Sequence, residues 1–206
     1  NQRDNLKNKG LTPDVLYMSA TPIPRTYALT IYGDMDISTI KEMPKGRKEV
    51  TTYLYKNDEI TKVLNLMYDE LKDGHQIYVI APLIEENDST NLTSVNELKE
   101  KMNAAFGKKY QIDLVHGKMN SKAKDDIMEK FALGKIDILI STTVIEVGID
   151  VKNATMMIIY DAERFGLATL HQLRGRVGRN EFESTCILIG DKNNKRLQVL
   201  EESNDG

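Results

Sequence analysis

The residues Gln172-Leu173-Arg174-Gly175-Arg176-Val177-Gly178-Arg179 carry the chain's clearest chemical signal. At about 100° per residue, a helix would place Gln172, Arg176 and Arg179 (i, i+4, i+7) on one narrow face. Leu170, Leu173 and Val177 would form a different face, suited to burial. A guanidinium is always charged and fork-shaped, which suits charge developing on a transferring phosphoryl group. Two arginines alone read more readily as a basic face that is solvated or paired with Asp and Glu, so the surrounding elements must decide.

Other polar groups end apolar runs. Thr142 and Thr143 lead into Val144-Ile145-Glu146-Val147-Gly148-Ile149-Asp150-Val151, where Gly148 permits a close backbone turn and Asp150 could accept ribose hydroxyls. His116-Gly117-Lys118-Met119 follows another run, and Pro82 opens a segment reaching Glu86. Each is, singly, an ordinary turn. The phosphate loop Gly-x-x-x-x-Gly-Lys-Ser/Thr is absent: after Gly107-Lys108, Gly117-Lys118 and Gly134-Lys135 no hydroxyl residue follows. No Asp-Glu pair sits convincingly at a strand end to hold magnesium. The chain has arginines that could complete a nucleotide site and lacks the cradle that would begin one.

The elements that must position these groups alternate. Strands are expected at residues 50–55, 76–81, 111–115, 136–141, 155–160 and 185–189. Between them, helical spacing runs through Ile60, Val63, Leu64, Met67 and Leu71 behind the candidate caps Asn57 and Asp58. Further helices are expected over 93–105, from Ser121 with Ala123, Ile127 and Phe131 facing inward, over 167–178 and over 192–202. Residues 85–91 read as a polar loop. Near-continuous apolar runs such as Ile138-Leu139-Ile140 suit strands buried on both faces, and the alternation argues for an α/β fold with an open, mainly parallel sheet flanked by helices. In such sheets chemistry is expected at the carboxyl ends of the strands.

Residues 1–48 read differently. Residues 15–18 suit a short strand leading into Ser19-Ala20-Thr21-Pro22-Ile23-Pro24-Arg25, where two prolines forbid regular structure. A short helix over 26–32, a weak strand at 37–40 and a turn at Pro44-Lys45-Gly46-Arg47 follow. The first residue is not Met, and the ends suggest a piece of a longer chain. An apolar strand at 15–18 would lack its sheet here, so the segment is expected to be poorly ordered or packed in a non-native place.

The bulk numbers set limits. With 206 residues, 40% hydrophobic and 29% charged, the chain is of ordinary globular composition. A formal net charge of −3 excludes a broad basic surface, so any nucleic-acid contact is local. The single cysteine, Cys186, lies in an apolar run as a strand thiol and excludes an internal disulfide or a cysteine metal site. Without a long apolar run or signal-peptide pattern, a cytoplasmic protein is expected.

Taken together, Ser19 to Thr26, Thr142 to Val151 and Gln172 to Arg179 resemble motifs III, V and VI of superfamily 2 helicases, in that order. Ala28-Leu29-Thr30-Ile31-Tyr32-Gly33-Asp34-Met35-Asp36, Ala81-Pro82-Leu83-Ile84-Glu85-Glu86, and Glu163-Arg164-Phe165-Gly166-Leu167-Ala168-Thr169-Leu170-His171-Gln172 are similar to the RecG family of bacterial branch-migrating DNA helicases. The resemblance implies a motor of two RecA-like domains with ATP and Mg2+ between them, bound mainly by the first. Residues 1–48 would be the tail of the first domain and the linker, and residues 49–206 the second domain.

By position, the resemblance makes Arg176 and Arg179 the groups reaching the γ-phosphate, with Gln172 the polar head of that motif. It makes Gly148 and Asp150 nucleotide-binding, and Ser19 and Thr21 the coupling between ATP state and the DNA-binding surface. Thr142, Thr143, His116 and Lys118 are the DNA-contacting candidates. The implied partners are branched or forked duplex DNA and the first motor and wedge domains of the same full-length chain, in fork reversal and Holliday-junction migration. Two other readings stay open: a non-catalytic RecA-like module that binds nucleic acid or a partner, and the motor of a transcription-repair coupling factor.

Overall fold

The computed structural model describes residues 16, 18, 48–82, 88–142, 151–178 and 181–203. The chain divides into two compact units, Asn1–Glu42 and Met43–Gly206. In the first, Leu16 and Met18 are described; both are exposed and neither is in a strand. The elements expected at 26–32 and 37–40, and the coupling candidates Ser19 and Thr21, lie outside the described residues.

The second unit holds six strands: β1 (Val50–Tyr55), β2 (Gln76–Ala81), β3 (Ile112–Val115), β4 (Ile138–Thr142), β5 (Ala154–Ile159) and β6 (Ser184–Ile189). Five α-helices lie between or after them: α1 (Ile60–Lys72), α2 (Asp88–Phe106), α3 (Ser121–Ala132), α4 (Leu167–Arg174) and α5 (Lys195–Glu202). The strands form one parallel sheet in the order β1-β6-β5-β2-β4-β3. From β1 to β3 the chain advances across the sheet, and from β3 to β6 it returns. Since crossovers in parallel sheets keep one hand, advance and return must run over opposite faces.

The packing shows this. Val63, Met67 and Leu71 of α1 and Val95, Met102 and Phe106 of α2 join Ile77, Val79, Ile138, Ile140 and Ile158 in one apolar cluster. Phe131 of α3, Leu170 of α4, and Leu197 and Leu200 of α5 join Tyr78, Ile80, Leu139, Met157 and Cys186 in another. Neighbours along β2 alternate between the two clusters, as the pleat demands. Every residue of β2, β4 and β5 is buried, which is why their sequences read as near-continuous apolar runs with few polar residues.

Several boundaries differ from the sequence reading. Asn57–Glu59 is a 3-10 turn, and the Glu59 carboxylate, not Asn57 or Asp58, accepts the Lys56 backbone N–H at 3.1 Å. Helix α2 begins at Asp88, so the polar residues 88–91 belong to a helix rather than a loop. Small polar residues are poor helix interiors and good first turns, and the composition alone did not separate the two. Helix α5 starts at Lys195, fixed by Asn194, whose side chain accepts from the N–H groups of Arg196 and Leu197. The largest correction concerns α4, which stops at Arg174 instead of reaching residue 178.

Candidate nucleotide and nucleic-acid site

Helix α4 carries the chain from the carboxyl ends of the strands to their amino ends. It follows β5 through a 3-10 turn at Ala162–Arg164 and leads into β6. Its end is tightened: Gly175 N–H donates to His171 O at 3.0 Å, but Arg176 N–H donates to Leu173 O at 3.0 Å, an i to i−3 bond. Two residues later Gly178 adopts φ +73°, in the left-handed region that turns the chain away from the helix. The regular i, i+4, i+7 face drawn through Gln172, Arg176 and Arg179 therefore does not exist. Gln172 is exposed on the last helical turn, Arg176 is half-buried in the turn beyond it, and Arg179 lies outside the described residues. The glycines at 175 and 178 were the local sign of this ending.

The apolar side of the same segment behaves as its spacing indicated. Leu170 and Val177 are buried, and Leu173 packs against the core from a half-buried position. The residue that spacing should also have assigned to this side is Arg174, four positions after Leu170. Its guanidinium is buried, with Nη1 donating to Leu200 O at 3.0 Å, to Ser203 O, and toward Thr52 Oγ1 at 3.4 Å. Its Nη2 lies 3.1 Å from His171 Nδ1. Burial and the adjacent Arg174 cation lower the His171 pKa, so this ring is held neutral.

The strand edge reached by this segment is fixed by Gly178. Its N–H donates to the Oγ of Ser184, the first residue of β6. A Cβ on Gly178 would meet Val50 Cγ2, on the first residue of β1, at 2.4 Å. The arginine-bearing turn thus lies at the amino edge of the sheet. The expectation that the candidates gather at the carboxyl edge fails for this group, because an eight-residue helix antiparallel to the strands has already crossed the sheet.

Three other candidates do lie at the carboxyl edge. Thr142 is the last residue of β4 and is buried; its Oγ1 and the neighbouring Ser141 Oγ have no hydrogen-bond partner among the described residues. His116 follows β3 and is half-buried, and its Nδ1 accepts from the Lys118 backbone N–H at 3.2 Å. Lys118 is exposed in the ensuing turn. The strands between the two edges are about 20 Å long, so Arg176 and these groups cannot touch one small ligand. Thr143, Gly148 and Asp150 lie outside the described residues.

A second buried polar residue that the sequence did not flag is Gln76. Its Nε2 donates to Phe131 O at 2.6 Å and Ile136 O at 2.8 Å, closing the end of α3 onto the start of β2. No metal-holding group of three or more His, Cys, Asp or Glu side chains occurs among the described residues. No described helix is long and apolar enough to cross a membrane.

Comparison with known proteins agrees with this arrangement. The helicase conserved C-terminal domain profile matches residues 56–181. The ATP-dependent DNA helicase RecG of Bacillus subtilis (strain 168) is 49% identical over 209 residues, covering 100% of this chain and 31% of the relative. The RecG of Streptococcus pneumoniae serotype 4 is 48% identical over 209 residues, with the same coverage. The chain thus spans about a third of the length of these relatives. The solved structure of RecG bound to a three-way DNA junction superposes with TM-score 0.76 at 45% identity, covering 95% of this chain and 25% of that one. The C-terminal domain of the DEAD-box protein Dbp5 shares the fold, with TM-score 0.52 at 20% identity over 76% of this chain and 84% of that one. With its six-stranded parallel sheet and the profile match over more than half its length, the chain belongs to the helicase conserved C-terminal domain family.

Proposed function

We propose that the chain is the second motor domain of a RecG-type ATP-dependent DNA helicase. The observation that carries this reading is the division of the candidates between the sheet's two edges. Arg176 stands at the amino edge, in a turn set by α4 and Gly178. Thr142, His116 and Lys118 stand at the carboxyl edge. A motor needs such separation, because its nucleotide and its DNA occupy different places and are linked by movement of the domain.

In this reading ATP is held mainly by a first motor domain that carries the phosphate loop. Arg176 fits a polyphosphate, being a half-buried guanidinium at an edge. The described residues do not fit Mg2+, since they offer no cluster of ligands. Domain closure brings Arg176 and Arg179 to the γ-phosphate, where charge builds in the transition state. Arginine fingers contribute on the order of 10³–10⁵ in turnover in related NTPases. Gln172, exposed on the last turn of α4, would be the polar head of that site, and Gly148 and Asp150 would be its nucleotide-binding residues. At the other edge the exposed Lys118 suits phosphate oxygens of duplex DNA, with His116, Thr142 and Thr143 as the other candidates. Ser19 and Thr21 would couple the two. Branched DNA is the proposed substrate; a RecG was solved on a three-way junction.

The test compares the chain alone with the full-length protein. Alone it should hydrolyse no ATP with or without forked DNA, whereas the full-length protein should hydrolyse ATP faster when forked DNA is added. Full-length protein that binds forks yet never hydrolyses ATP would leave the non-catalytic module as the better reading.

A further inference from the structure

We infer that Arg174 is the positioning residue of the arginine turn, fixing the end of α4 and so the pose of Arg176. This rests on the motor reading above. The argument begins with what α4 lacks. It has eight residues, and its N-cap, Gly166, makes no side-chain cap hydrogen bond. Isolated helices of that length are unstable in water, so this one must be held by its surroundings. Its C-cap is Gly175, the residue type that restrains the backbone least. Arg176 follows immediately and is tied to α4 by its N–H bond to Leu173 O, so its direction is only as well defined as the helix end.

Arg174 supplies that direction from outside. The side chain is 5% exposed, and burying a guanidinium is unfavourable unless its fork is satisfied. Its hydrogen-bond partners include groups on three elements: Thr52 on β1, the carbonyls of Leu200 and Ser203 at the end of α5, and His171 one turn back on α4. The two carbonyls belong to the negative end of the α5 dipole, which suits a buried cation. An apolar side chain of similar volume could fill the same space without the desolvation cost. What an arginine adds is direction, because a planar fork bonded to three elements fixes both the position and the rotation of the helix end. Arg176 lies two peptide units on, at most about 7 Å in Cα separation. A slip at Arg174 is therefore passed to Arg176 with little loss. Misplacement of a catalytic group by about 1 Å can cost on the order of 10²-fold in rate.

The experiment uses the full-length protein and measures fork-stimulated ATP hydrolysis, with the unfolding midpoint taken for each variant. Arg174→Lys keeps the charge and loses the fork. It should lower kcat by roughly tenfold or more while KM for ATP stays within about twofold, well below the unfolding midpoint. His171→Phe and Thr52→Val each remove one partner, and each should lower kcat by a few-fold with the same split. A lower unfolding midpoint with unchanged kcat in Arg174→Lys would make the residue structural only and overturn the inference. Should Arg174→Lys fail to fold, unchanged kcat in both milder variants overturns it equally. Arg176→Ala, run in parallel, keeps the two readings apart. Loss of turnover there with intact turnover in the Arg174 series sinks this inference alone; intact turnover in Arg176→Ala takes Arg176 out of the catalytic set and this inference with it, and only unsubstituted protein that hydrolyses no ATP with forks removes the motor reading.

Discussion

The backbone N–H of Gly178 donates to Ser184 Oγ at 3.0 Å, stitching the end of the arginine turn to the first residue of β6. The bond needs Gly178 at φ +73° and close against Val50, so one residue links the turn to both β6 and β1. Gly178→Ala should destabilise the domain by about 1–3 kcal/mol from backbone strain. It should lose more from a Cβ 2.4 Å from Val50 Cγ2, a short branched group with little room to swing. Gly134→Ala is the control: its φ is +75° but nothing lies within 4 Å of the added Cβ. Thermal unfolding of both should show the larger fall at Gly178, and equal falls would mean that the packing against Val50 is unimportant.

Arg176→Ala in the full-length protein should lower kcat for fork-stimulated ATP hydrolysis by roughly 10²-fold or more, with a smaller loss of nucleotide binding. Arg179→Ala should do the same. Steady-state kinetics with a parallel binding titration separates the two effects, and a variant with normal turnover leaves the catalytic set.

His171 gives stability a pH dependence. Its folded pKa is lowered from 6.5 by burial and by the Arg174 cation, so the folded state resists protonation. The stability contributed by neutral His171 is fully present above pH 6.5 and is lost as pH falls from there through the lowered folded pKa. Denaturant unfolding at pH 7.5 and pH 5.5 should show an acid loss that is reduced in His171→Gln. An identical acid loss in that variant would place the sensitivity elsewhere.

Cys186 is buried in the middle of β6, and its thiol pKa is pushed up to about 12 by burial, against a smaller opposing effect of Arg174. A thiol-reactive disulfide reagent at pH 8 should label the native protein only as fast as it opens, and the unfolded protein at once. Rapid stoichiometric labelling of folded protein would contradict the β6 packing.

The Glu59 carboxyl is held down at a pKa of about 2, first by the Lys192 ammonium at 2.8 Å and then by the Lys56 backbone N–H and Lys62. Its contribution to stability is present above the ordinary carboxylate value of 4.5 and disappears as pH falls through about 2. Carbon-detected NMR titration of Glu59 should show this midpoint, and Lys192→Ala should raise it. Because the Lys192 side chain keeps 40% of its surface in solvent, salt should weaken the pair.

The alternation of apolar runs and helical spacings determined the α/β class, the parallel sheet and which strands are central. Runs such as Ile77 to Ala81 have one sensible place, a strand covered on both faces, and β1 and β2 fall where the sequence set them. Motif types and order were equally legible, because residue identity carries them directly. Tertiary structure alone decided where those motifs stand. Whether α4 ended at Arg174 or residue 178 turned on a contest between helix continuation and the Gly178–Ser184 bond, a partner outside the local window. Strand order put Thr142 and Arg176 at opposite edges, since the direction in which a helix returns across a sheet is set by its neighbours. Arg174 read as one more basic residue until β1 and the end of α5 surrounded it. Its partners lie 122 and 26 residues away, and hydrogen bonds of that range leave no periodic trace in a sequence.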